Sequence, residues 1–89
     1  MLKTTNAKAR SCVQSLTEFK ASNTFAERIN GVYVVFSYGY HFPMFANIGG
    51  VWYANEDKYS RTTSKQRGQL HPLVQCEPLN TRAMQALYA

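Results

Sequence analysis

The sequence predicts a small α+β domain: a twisted antiparallel sheet of three to four strands, with short helices packed on one face. Three observations carry this. From about Phe25 to Arg61, apolar side chains alternate along short runs, as they do on strands. Asn30-Gly31 and Asn47-Ile48-Gly49-Gly50 interrupt those runs with residues that tolerate positive φ, which tight hairpins require. Ser11–Ala21 and Thr81–Tyr88 instead space their apolar residues three and four apart, as on one face of a helix.

Met1–Arg10 is polar and without periodicity, so it reads as a frayed lead. Ser11–Ala21 is a helix candidate. Ser15 and Glu18 stand at capping-box spacing, and Val13, Leu16 and Phe19 share a face. Ser22-Asn23-Thr24 ends it, because these side chains compete for backbone hydrogen bonds. Phe25–Ile29 is a short strand with Phe25, Glu27 and Ile29 on one side. Asn30-Gly31 then turns the chain into Val32–Tyr38, which is apolar on both faces and therefore central. Gly39 ends or bulges that strand.

Phe42–Asn47 follows, with Pro43 restricted to a strand start, an edge or a bulge because it lacks an N–H. Val51-Trp52-Tyr53 returns, Asn55-Glu56-Asp57 turns, and Lys58–Arg61 is an edge strand. Thr62-Thr63-Ser64 reads as an N-cap for a short helix that Gly68 weakens and Pro72 stops. Pro72–Leu79 is an extended linker. Asn80 caps a last helix whose stripe of Met84, Leu87 and Tyr88 docks on the sheet or on a second subunit. The expected core is Ile29, Val32, Val34, Phe36, Met44, Phe45, Val51, Trp52, Leu70 and Leu87.

Eighty-nine residues, 45% hydrophobic and 13% aromatic, make one domain spanning 1–89 rather than a disordered chain. A chain of this size buries only about 60–65% of its unfolded surface, so stability is modest. Ten Lys and Arg against five Asp and Glu give a net charge of +5. That charge suits nucleic acid or an acidic protein patch. Cys12 and Cys76 belong to no short motif. No apolar run follows Lys3, Lys8 and Arg10 to form a secretory signal, and no run reaches membrane-span length. The expectation is a cytoplasmic protein with free thiols and no membrane partner.

Catalytic and metal constellations are thin. His41 and His71 are the only histidines, and no CxxC or HxxxH pair accompanies them. Glu56 and Asp57 are adjacent and point apart. Gly49-Gly50 precedes a strand, not a phosphate-binding helix. No catalytic residue, metal or cofactor is expected. The candidate contact surface is Lys58, Tyr59, Ser60, Arg61, Thr62, Thr63, Ser64, Lys65 and Arg67. There basic groups alternate with hydroxyls that donate to phosphate, beside an aromatic that stacks on a base. Tyr40 and His41, at the end of the central strand, form a second candidate surface suited to protein recognition.

The run Y-V-V-F-S-Y-G-Y-H-F-P-M-F, followed by W-Y-A-N-E-D-K-Y-S-R-T-T-S-K-Q, resembles a group of short proteins carried by phages, plasmids and related mobile elements. The resemblance covers roughly Gly31–Pro72. It implies a small accessory protein acting inside bacterial cells and brings no enzyme activity with it. Many such proteins block host defence machinery, as anti-CRISPR proteins do, or contact DNA directly. The first expectation is therefore a non-enzymatic inhibitor or modulator of a host nucleic-acid-handling defence complex. The alternative is a direct, sequence-tolerant DNA- or RNA-binding protein. A third is a dimeric accessory protein joined through Met84, Leu87 and Tyr88.

Overall fold

The computed structural model describes residues 2–57 and 68–89. Among the described residues, seven strands form a single sheet in chain order: β1 (Leu2–Lys3), β2 (Phe19–Lys20), β3 (Thr24–Ile29), β4 (Val32–Ser37), β5 (Pro43–Ile48), β6 (Val51–Asn55) and β7 (Glu77–Leu79). Neighbours from β2 to β6 are antiparallel, whereas β1–β2 and β6–β7 are parallel. A 3-10 turn (Asn6–Lys8) and helix α1 (Arg10–Gln14) lie between β1 and β2, and helix α2 (Thr81–Leu87) follows β7. The fold is thus small α+β, but its sheet is mixed and larger than the expected three to four antiparallel strands. The surplus strands are two or three residues long, too short for a period of two to register.

The two hairpins form where glycine and asparagine allow. Asn30 and Gly31 take φ of 50° and 81° between the paired Ile29 and Val32. Gly49 and Gly50 take 56° and 88° between Ile48 and Val51. Pro43 opens β5 opposite Phe36, beside a register shift at Val35/Phe36, so its missing N–H costs no ladder bond.

Every residue of β4 is buried. Tyr33 and Val35 join one core with Val13, Phe19, Phe45, Trp52 and Leu70. Val32, Val34 and Phe36 join a second core with Ala46 and Met84, flanked by Phe25, Ile29, Leu87 and Tyr88. Helices therefore cover both faces of the sheet, not one as expected: α1 on the Tyr33 side, α2 on the Phe36 side. A strand apolar on both faces needs a cover for each. Val51, expected in the core, is exposed because it sits at the turn.

The predicted helix over Ser11–Ala21 stops at Gln14. The Ser15 hydroxyl donates back to the Ser11 carbonyl at 2.8 Å, and Leu16 reverses the chain at φ 56°. Glu18 does not close a capping box; its carboxylate accepts from the Arg28 N–H at 2.9 Å. Phe19 enters β2 opposite Ala26 and is fully buried. Burying that ring outweighs a helix built from Ser, Cys, Val and Thr, all weak helix formers.

The last helix forms as expected. The Asn80 side chain accepts from the Ala83 N–H at 2.8 Å. Met84 is buried against the chain's own sheet, with Leu87 and Tyr88 packed beside it. Asn55, fully buried at the end of β6, holds the start of α2. Its Nδ2 donates to the Pro43 carbonyl at 2.7 Å and to the Thr81 hydroxyl at 2.9 Å, while its Oδ1 accepts from the Asp57 N–H at 2.8 Å.

Candidate functional site

Alternation along β3 sends Phe25, Glu27 and Ile29 to the α2 side of the sheet. Helix α2 packs mainly across β5 and β6. The β2–β3 flank of the same face carries no helix among the described residues. Phe25 pairs with Lys20, and Lys20 pairs with Lys3, so both lysines stand on this open flank. The β4–β5 connection folds over its end. There Tyr38, not Gly39, takes the left-handed conformation, at φ 63°. Its N–H is held by the Asn23 carbonyl at 2.8 Å. The kink presents Tyr38 and Tyr40 outward, 52% and 58% exposed.

An aromatic ladder runs from the core to this surface. Phe36 stacks on Phe25 with ring centroids 5.0 Å apart. Tyr40 meets Phe25 and Phe36 edge-on at 5.0 and 5.2 Å. The Tyr40 hydroxyl reaches the Glu27 carboxylate, lying 2.7 and 2.9 Å from its two oxygens. That acceptor holds the Tyr40 phenol above its ordinary range, so it stays protonated. Lys20, Phe25, Glu27, Tyr38 and Tyr40 together line an open cleft of about 280 Å³.

A larger hollow of about 480 Å³ lies beside β6 and β7, lined by Gly50, Val51, Trp52, Val74, Gln75 and Glu77. It has no basic side chain, and its charged group is the acidic Glu77, which opposes an anion. The smaller cleft combines exposed rings, an ammonium and an oriented carboxylate, and it is the better candidate despite its size.

Lys58, Tyr59, Ser60, Arg61, Thr62, Thr63, Ser64, Lys65 and Arg67 lie outside the described residues. The residues flanking them are tied down. Asp57 accepts from the Thr81 N–H at 2.8 Å, and the Gly68 carbonyl accepts from the Arg10 guanidinium. Tyr40 falls within the cleft. His41 is exposed next to it, and its carbonyl accepts from Gln85 at 3.5 Å. Lys3, Lys20, Phe25, Glu27 and Tyr38 are functional candidates that sequence reasoning missed. The alternation of Phe25 with Glu27 was the available signal. Nothing marked Lys20, because its strand lay inside a predicted helix.

Other reactive side chains have structural surroundings. Among the described residues, no three His, Cys, Asp or Glu side chains gather into a metal-binding group. Cys12 is buried and Cys76 half-buried, both as free thiols, and burial pushes the Cys76 thiol up. The His71 ring meets Phe45 edge-on at 5.4 Å, and its Nδ1 accepts from the Leu73 N–H at 2.9 Å. The described residues contain no helix long and apolar enough to cross a membrane.

Comparison with protein-family models, with curated proteins and with solved structures finds no match.

Proposed function

We propose that the protein is a non-enzymatic accessory protein of the mobile-element type that acts on nucleic-acid-handling machinery by touching the nucleic acid itself. One observation carries this reading: exposed Tyr38 and Tyr40 share a cleft with Lys20 on a flank of the sheet that carries no helix among the described residues. Aromatic faces stack on unpaired bases, and neighbouring ammonium groups neutralise the phosphates between them. Lys3 beside Lys20 and the net charge of +5 favour the same kind of partner. Contact of this kind tolerates many sequences, because every base has a π face.

A second reading is an inhibitor that docks on a host defence protein, of the anti-CRISPR type. The exposed tyrosines favour it equally, since rigid amphipathic rings also anchor protein interfaces. The paired lysines favour nucleic acid. Fluorescence anisotropy with single- and double-stranded DNA and RNA, at low and physiological salt, separates the two. Micromolar binding to single strands that weakens steeply with salt is the expected result. Absence of binding at low salt would overturn the nucleic-acid reading and leave the protein-directed one.

A further inference from the structure

We infer that the cleft between Lys20 and Tyr40 takes the last nucleotide of a single strand, at an end that carries a hydroxyl and no phosphate. The inference rests on the nucleic-acid reading above and adds which part of the strand the cleft receives.

The register of the sheet is the reason. Phe36 pairs with Phe25, Phe25 with Lys20, and Lys20 with Lys3. Directly paired residues share a face, so these four side chains form one row across β4, β3, β2 and β1. Neighbouring strands lie about 4.8 Å apart, which makes the row roughly 14 Å long. Its Phe36 end is closed. Phe36 is fully buried, with Tyr40 edge-on to it at 5.2 Å and Tyr88, at the end of α2, edge-on at 6.1 Å. Gln85 of α2 also donates to the His41 carbonyl at 3.5 Å, joining that helix to the β4–β5 connection. The other end is open. Lys20 and Lys3 are exposed, and β1 is the outermost described strand on this side.

A strand laid along this row enters over Lys3 and stops at Tyr40. Its last base meets the exposed rings of Tyr38 and Tyr40 beside Phe25, in a cleft of about 280 Å³ that suits one base. Stacking of this kind accepts any base. Lys20 and Lys3 stand on successive strands, and their flexible four-carbon stems let the two ammonium groups meet consecutive phosphates.

Charge decides the chemistry of the end. The Tyr40 hydroxyl already lies across both Glu27 oxygens, at 2.7 and 2.9 Å, so this carboxylate acts on a ligand through its charge. A terminal phosphate beside Tyr40 would meet that negative charge at short range, whereas a hydroxyl would not. Negative charge at the closed end and positive charge at the open end fit a strand whose first phosphate lies one linkage in from its terminus.

The test is anisotropy with internally labelled oligothymidylates of one length in three forms: linear with hydroxyls at both ends, linear with phosphates at both ends, and closed into a circle. Wild type and Glu27→Gln are compared, with near-ultraviolet circular dichroism confirming the fold of each. The hydroxyl-ended strand should bind wild type about tenfold tighter than the circle, the worth of one stacked base. Terminal phosphates should weaken binding about threefold or more. Glu27→Gln keeps an acceptor for the Tyr40 hydroxyl and removes the charge, so it should abolish the difference between hydroxyl and phosphate ends. A circle bound as tightly as the hydroxyl-ended strand would overturn this inference and leave the nucleic-acid reading intact. So would equal binding of phosphate and hydroxyl ends by wild type, or a phosphate penalty that survives Glu27→Gln unchanged. No binding of any of the three at low salt would overturn both.

Discussion

The Tyr40 hydroxyl donates to the Glu27 carboxylate across the open flank of the sheet, joining the β4–β5 connection to β3. A proton acceptor beside a phenol stabilises its protonated form. The folded-state titration of Tyr40 therefore lies above the usual value of about 10. The bond is fully present below that usual value and is lost as pH rises through the raised one. Tyrosinate absorbance of wild type minus Tyr40→Phe should show this high titration. In Glu27→Gln it should fall back to the ordinary range. An ordinary value in wild type would mean that the two side chains do not meet.

Tyr33 should be worth measuring by a single oxygen. Its hydroxyl donates to the Thr17 carbonyl at 2.8 Å from within the core, and burial pushes the phenol up. Tyr33→Phe leaves that carbonyl without its donor and should cost about 1–2 kcal/mol. Urea unfolding should report a lower midpoint at an unchanged slope.

Asn55 ties three elements by its side chain alone: β5 through Pro43, α2 through Thr81, and the chain leaving β6 through Asp57. Asn55→Leu keeps approximate volume but removes all three bonds, and it leaves the Pro43 carbonyl and the Asp57 N–H without this partner. A loss of about 3 kcal/mol is expected, large for one substitution. Amide exchange should speed most in the first turn of α2.

Asp57 gives the fold an acid-sensitive joint. The Thr81 N–H, and then the Thr81 hydroxyl, hold its carboxyl below the usual carboxylate range. A depressed pKa contributes stability that is complete above the unfolded value of about 4 and is lost as pH falls through the folded one. Amide shifts at Thr81 and Arg82 should therefore move in acid, and Asp57→Asn should remove that movement.

Much of the centre of this fold was legible. Asn30-Gly31 and Gly49-Gly50 are where the hairpins turn, and the double-sided apolar pattern of Val32–Ser37 marks the buried strand. The Asn80 cap and the Met84 stripe also follow from local chemistry, because each acts within one or two turns. The edges were not legible. Phe19–Lys20 is a strand only because β3 offers it a free edge, and Leu2–Lys3 only because β2 then offers its own, a tertiary effect with no local signal. The site shares that fate. Tyr40 stood out as an aromatic at a strand end, but Lys20 comes from a strand the sequence did not reveal, and Glu27 from one whose other neighbour, β2, it did not reveal.

The most direct test of the account is the salt dependence of single-strand binding by wild type and by a Lys3→Ala, Lys20→Ala double variant. Each phosphate contact contributes about 0.7 to the log–log slope for single strands. The double variant should bind more weakly, with a slope smaller by about 1.4. An unchanged slope and affinity would show that the nucleic acid does not lie on this flank and would contradict the account at its centre.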